Sequence, residues 1–255
     1  MLARQRQELI VARVQEYGAV RVSDLAEHFG VSDMTVRRDL DVLARRRLVA
    51  KVHGGATALD SPSTHEPGFV EKSGRQRAEK QVIARAAAEL VEPGTAIGLS
   101  AGTTTAALAA ALLQVAGLTV VTNSMAVAEV FRGEAERTVI LTGGIRTPSE
   151  ALVGPVAVAA LRTLNLDVVF LGVHGMSAAS GFTTPNMMES ETDRALVEAG
   201  QRLVVVADST KWGTAGISTI AELAEADVLV TDSGLDADAR AVLEGEIDQV
   251  VIAEV

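Results

Sequence analysis

Two stretches of this 255-residue chain combine residue types at spacings that could do chemistry. The first is Ser32-Asp-Met-Thr-Val-Arg-Arg-Asp-Leu40. Ser32 is a good helix N-cap, because its hydroxyl can accept a bond from an unpaired first-turn amide. At helical spacing Val36, Leu40 and Leu43 share one face. Met34, Arg38, Asp41 and Arg45 share the opposite face, with Thr35 and Arg37 on its flanks. An apolar stripe opposite paired arginines suits a helix that packs on its own domain and offers guanidinium forks to guanine or phosphate. The second stretch is Ser100-Ala-Gly-Thr-Thr-Thr105, between an apolar run and a helical run. Gly102 leaves room for a ligand beside the backbone. Thr103, Thr104 and Thr105 add hydroxyls beside the free amides of a helix N-terminus, which is phosphate-holding chemistry. The stretch is neither a Walker loop nor a dinucleotide fingerprint. Alone, the first stretch also fits any solvated amphipathic helix, and the second any threonine-capped turn.

The elements around the first stretch favour the sharper reading. Ser23–Phe29 reads as a short capped helix with Leu25, Ala26 and Phe29 inward, and Gly30 as the turn that follows. A short helix, a tight turn and a second helix with a basic N-terminal face make a helix-turn-helix. Residues 3–17 read as a leading helix with Leu9, Ile10, Val14 and Tyr17 inward and Gly18 ending it. After Leu48, Val49–Gly55 alternates like a strand, a wing with a tight turn at Gly54–Gly55. Residues 1–57 are therefore expected to form a winged helix-turn-helix that binds double-stranded DNA. Its contact set is Ser32, Met34, Thr35, Arg37, Arg38, Arg45, Lys51 and His53, with Arg46 and Arg47 as further phosphate contacts. The charge distribution agrees. Residues 1–57 carry ten Lys and Arg against seven Asp and Glu, a net of +3, while residues 58–255 carry a net of −13.

Residues 58–74, with two prolines and no periodicity, read as a linker. From residue 75 to 255, apolar runs alternate with helical runs. Strands are expected at 95–99, 119–122, 138–142, 168–173, 203–207, 228–231 and 249–252, an α/β fold with a mainly parallel sheet. Such sheets bind ligands beyond the carboxyl ends of their strands. The residues standing there are Ser100 and Gly102–Thr105, then Asn123, Gly143, Gly144, Arg146, His174 and Lys211. Arg146 and Lys211 are isolated cations in an acidic region, where an anion would need locally aimed charge.

The chain has no cysteine, so disulfides and thiolate metal sites are excluded. His28, His53, His65 and His174 are dispersed, and no metal or cofactor is expected. No uninterrupted apolar run of ~18 residues occurs and the N-terminus lacks the order of a signal peptide, which points to the cytoplasm. Glu189, Glu191 and Asp193 read as first-turn acids facing a helix dipole rather than as catalytic bases, so no enzyme is expected.

The pattern Arg6-x3-Ile10-x3-Val14-x17-Ser32-x2-Thr35-Val36-Arg37-Arg38-Asp39-Leu40 resembles the helix-turn-helix signature of the DeoR family of bacterial transcriptional regulators, as does Val52-His53-Gly54-Gly55-Ala56. The rest of the chain is similar to that family's effector domain at Ser100–Thr105, Thr119–Ser124, Leu141–Gly144, Leu152–Pro155, Gly181–Asn186 and Ala207–Lys211. The resemblance implies a fold like that of ribose-phosphate isomerases and a sugar-phosphate sensor, with the phosphate at Gly102–Thr105 and Lys211 beside it. It implies a repressor of a carbohydrate operon. A homodimer or homotetramer is expected, because one module buries too little DNA for specificity. Many family members carry Asp or Asn where this chain has His174. The rival readings are an isomerase-like enzyme with an appended DNA-binding module, and a DNA-binding protein whose second domain only oligomerises.

Overall fold

The computed structural model describes residues 2–17, 19–46, 48–52, 54–57, 64, 66–134 and 136–255. Gly18, Arg47, His53, His65 and residues 58–63 lie outside them, as does the side chain of Tyr17. The chain divides into two compact units, Met1–Ser63 and Thr64–Val255.

The first unit runs α1 (Ala3–Tyr17), β1 (Ala19–Arg21), α2 (Val22–Phe29), α3 (Asp33–Arg45), β2 (Ala50–Val52) and β3 (Gly55–Thr57). Its core joins Ile10 and Val14 of α1, Leu25 and Ala26 of α2, and Val36, Leu40 and Leu43 of α3 with Val49 and Ala56 of the wing. Leu9, expected inward, is 44% exposed. The buried line on α1 is Arg6, Ile10, Val14, spaced i, i+4, i+8, and Leu9 falls off it. Helix α2 starts one residue before Ser23 and takes no side-chain cap, while Gly30 closes it in the left-handed region at φ 62°. The wing is a three-stranded antiparallel sheet in the order β1-β3-β2. Gly55 is required there, since a Cβ would sit 2.1 Å from the Val20 carbonyl oxygen.

The second unit begins with α4 (Phe69–Ser73) and α5 (Arg77–Ala88). Residues 66–73, read from the sequence as linker, are built into it. Asn186 Nδ2 donates to Glu66 at 2.9 Å, and the Phe69 amide donates to the Pro148 carbonyl at 3.1 Å. The chain continues through β4 (Ala96–Leu99), α6 (Thr103–Ala111), β5 (Thr119–Thr122), α7 (Met125–Val130), β6 (Thr138–Leu141), β7 (Ile145–Arg146), β8 (Leu152–Val153) and α8 (Pro155–Leu161). Then come β9 (Val168–Gly172), β10 (Gly175–Ser177), β11 (Gly181–Thr184), α9 (Met187–Glu198), β12 (Leu203–Val206), β13 (Ser218–Ala221), β14 (Val228–Asp232), α10 (Ala237–Glu246) and β15 (Gln249–Ala253).

All seven expected strands form one parallel sheet in the order β15-β14-β12-β9-β4-β5-β6. Alternate residues bury against opposite helical layers. Val204 and Val206 join the cluster of α5 and α6, whereas Leu203 and Val205 join that of α8, α9 and α10. Small antiparallel additions, β7-β8 and β10-β11-β13, lie outside the main sheet. Strand order reverses between β4 and β9, so a crevice opens beyond their carboxyl ends.

Candidate functional site

In the first unit the candidate residues lie along α3. Ser32 caps the helix, accepting from the Thr35 amide at 3.3 Å. Val36, Leu40 and Leu43 are buried, so the opposite face, with Met34, Arg37, Arg38 and Arg45, stands in solvent. Arg37 and Arg38 have no ion-pair partner among the described residues, while Arg45 lies within electrostatic reach of Asp41. Asp39 faces inward instead. Its carboxylate accepts from Arg6 Nε at 2.6 Å and from Gln7 Nε2 at 2.8 Å, which ties α3 to α1. Lys51, on β2, is paired at the surface with Asp41 at 2.7 Å and holds that carboxyl below its ordinary value.

In the second unit, Ser100–Gly102 leave β4 and α6 begins at Thr103. Ser100 and Thr105 are fully buried and their hydroxyls are already used. The Gly172 amide donates to Ser100 Oγ at 2.9 Å, and Thr105 Oγ1 donates to the Gly102 carbonyl at 3.0 Å. These two groups lock the loop. What faces outward is the half-exposed Gly102–Thr103 turn and the first-turn amides of α6, which no side chain caps. Lys211 ends the short turn after β12, a turn capped by Asp208, whose carboxylate accepts from the Thr210 amide at 3.2 Å.

Two cations that the sequence reading did not select converge on Lys211. Lys80 Nζ donates to the carbonyls of Lys72 at 2.7 Å and Arg75 at 2.6 Å, pinning the turn between α4 and α5. Gln76 in that turn holds φ at 49°, a conformation that costs about 1–3 kcal/mol for a non-glycine residue and persists only where neighbours fix it. Burial pushes Lys80 down to about 8; Asp208 opposes the fall, and Lys211, Lys72 and Arg75 add to it. Lys72 is also lowered by burial. Glu189 and Glu66 oppose the fall, while Lys211 reinforces it. The mutual influence of Lys72, Lys80 and Lys211 marks one positive patch. Each left a weak trace in the sequence: Lys80 is in phase with the buried Ile83, Ala84 and Ala87, where an apolar residue would be usual.

An acidic and amide cluster adjoins this patch. Glu189 accepts hydroxyl donors from Thr147 at 2.8 Å, Thr184 at 3.1 Å and Ser149. Asp193, one turn along α9, is 6% exposed rather than a solvated first-turn acid. Burial raises its carboxyl well above the ordinary value and Glu189 adds to the rise, while Asn123 and Lys72 oppose it. Asn123 is 1% exposed.

The sequence matches two family models, the DeoR-like helix-turn-helix domain over residues 6–62 and the DeoR C terminal sensor domain over residues 75–233. It is 36% identical over 245 residues to the HTH-type transcriptional regulator GlpR of Haloferax volcanii, covering 96% of this chain and 95% of that protein. The chain belongs to the DeoR family of transcriptional regulators. Another DeoR-like relative, the glycerol-3-phosphate regulon repressor of Escherichia coli strain K12, is 33% identical over 230 residues, 90% of each chain. Among solved structures, ribose 5-phosphate isomerase A of Methanocaldococcus jannaschii is similar at 16% identity and a TM-score of 0.38, over 52% of this chain and 53% of that one.

In this DeoR-family regulator the expected sensor residues divide into two groups. Ser100, Gly102–Thr105, Asn123, His174 and Lys211 all stand at the carboxyl end of the sheet, with His174 half-buried where β9 turns into β10. Arg146 does not join them. It is exposed on the β7-β8 hairpin and ion-paired with Glu150, Nε to Oε2 at 3.0 Å. Gly144 has a backbone reason for its identity: φ is 123° and a Cβ would lie 2.5 Å from the Val153 carbonyl oxygen. Gly143 precedes it in the same bend at φ 73°. No helix among the described residues is long and apolar enough to cross a membrane, and no cluster of His, Asp and Glu there could hold a metal ion.

Proposed function

We propose that this regulator is a repressor of a carbohydrate-use operon whose hold on double-stranded operator DNA is set by a phosphorylated sugar. It acts in the cytoplasm, as a homodimer or homotetramer, and catalyses no reaction of its own. The observation that carries the reading is the gathering of Lys72, Lys80 and Lys211, with Lys211 at the same carboxyl end of the sheet as the uncapped N-terminus of α6, in a part of the chain with a net charge of −13. An acidic unit builds such a patch to hold an anion against its own field. In the DNA-binding unit, Arg37 and Arg38 read or grip the duplex, Met34 offers an apolar contact, and Thr35, Arg45 and Lys51 reach the backbone. Self-association is supported by the free edge of β6, where Ile140 and Leu141, with Ile145 beyond, are 37%, 44% and 57% exposed.

Control requires that the ligand bind one arrangement of the protein better than the other. Lys72 belongs to the sensor patch and lies close in sequence to the boundary between the two units. An operator-shift assay with a panel of sugar phosphates tests the proposal. At least one should change operator affinity, and Lys211→Ala should abolish that change while DNA binding persists. A response that survives both Lys211→Ala and Thr104→Val would place the phosphate elsewhere. A competing reading, an isomerase-like enzyme with an appended DNA module, rests on the buried Asp193, whose carboxyl is raised well above its ordinary value beside the patch. Turnover of any sugar phosphate in a coupled assay would favour it.

A further inference from the structure

Asn123 and Asp193 are the place where the sensor unit leaves hydrogen-bonding capacity unmet in its interior. Asn123 is 1% exposed, and neither Oδ1 nor Nδ2 of its amide has a hydrogen-bond partner; Asp193 is 6% exposed and its Oδ1 has none. Asn123 lies close enough to Asp193 to act on its carboxyl as a weak hydrogen-bonding neighbour, yet neither end of the Asn123 amide nor Asp193 Oδ1 reaches a partner at full hydrogen-bond geometry. Leaving a buried polar group unpaired costs about 1–3 kcal/mol, so such atoms mark a place where something else binds. Both groups sit beside the positive patch. Asn123 directly follows Thr122, which pairs with Leu99 of β4, so Asn123 is level with Ser100 at the head of the phosphate-type loop. Asp193 and Glu189 are within electrostatic reach of Lys72.

The two groups also differ from Glu189. That carboxylate is filled by hydroxyl donors from Thr147, Ser149 and Thr184. Burial, with Glu189 beside it, raises the Asp193 carboxyl well above its ordinary value and so favours its neutral form. A neutral acid and a primary amide each present one donor side and one acceptor side. The group that satisfies both at once is a hydroxyl, which donates and accepts. A second anion would be repelled by Glu189, and an apolar group would leave the three atoms unmet.

We infer that Asn123 and Asp193 form a hydroxyl-reading subsite, which takes the polyol end of a ligand whose phosphate lies on the Lys72 and Lys211 patch. This inference rests on the sugar-phosphate reading above and extends it. Phosphate supplies the grip, and the Asn123–Asp193 pair supplies the choice among phosphorylated compounds.

Calorimetry on the full chain separates the two claims, with inorganic phosphate, glycerol 3-phosphate and a hexose 6-phosphate as probes. Wild type should bind one of the phosphorylated polyols at least about tenfold more tightly than inorganic phosphate, about one hydrogen bond's worth to a buried site. Asn123→Leu should remove that preference, bringing the polyol phosphate down to the affinity of inorganic phosphate. Asp193→Asn keeps a neutral donor and acceptor, and should retain the preference near neutral pH; Asp193→Leu should lose it. Lys211→Ala should weaken every probe alike. If Asn123→Leu and Asp193→Leu, each folded by circular dichroism, keep the wild-type preference, the subsite is wrong and the phosphate site stands. If no probe binds wild type, the sugar-phosphate reading itself falls.

Discussion

Among the described residues of the DNA-binding unit the buried charges are Arg6 and Asp39, and both carboxylate oxygens of Asp39 are filled, by Arg6 and Gln7; in the sensor unit Asn123 and Asp193 are as deeply buried and left partly unfilled. The difference separates structure from readiness. A satisfied buried pair fixes how α1 meets α3 and so aims the arginines of α3 outward. An unsatisfied one destabilises the free unit, and the deficit is made up when a ligand arrives. On the proposed reading, the surface that the first unit uses is outside its polar interior, whereas in the second the polar interior belongs to the proposed site.

The largest test of this contrast is Arg6→Met. Removing one partner of a buried pair costs about 3–5 kcal/mol, so hydrogen exchange should show α1–α3 losing protection while the sensor unit keeps its own. Combining it with Asp39→Leu should recover much of the loss; a double variant as unstable as the single one would show that the pair does more than neutralise its own charge. Arg38→Ala, on the outer face, should instead weaken operator binding by about 1–3 kcal/mol without changing stability. Unchanged operator affinity would remove Arg38 from the interface.

A pH titration sharpens the sensor side. Lys80 is lowered from 10.5 to about 8 by burial. The folded state therefore holds fewer protons than the unfolded chain between about 8 and 10.5, and this group makes stability rise across that window. Phosphate binding needs the charged form, so effector affinity should fall above pH 8, by up to about tenfold per unit. Lys80→Gln should flatten that limb. The smallest effect is Asp193→Leu: with no ligand, replacing an unfilled buried carboxyl by an apolar side chain should leave the sensor unit as stable or about 1 kcal/mol more so. A clear loss of stability would make Asp193 structural and dissolve the contrast with Asp39.

Much of this was readable from the chain alone. Periodicity located the recognition helix with its inward Val36, Leu40 and Leu43, and alternation located all seven strands of the parallel sheet, because local pattern and burial share a period. The Ser32 cap and the loop at Gly102 depend on neighbours a few residues away, so they too were legible. Other features needed the tertiary structure. Arg6 meets Asp39 across 33 positions, and Lys72 and Lys80 meet Lys211 only after the parallel sheet brings its strand ends together. Asp193 looks like any first-turn acid until α9 turns it inward, and Arg146 looks like an aimed cation until the β7-β8 hairpin places Glu150 beside it. Sequence determines which residues line up on an element. Only packing decides which element faces another, and so which charge is filled and which is left for a ligand.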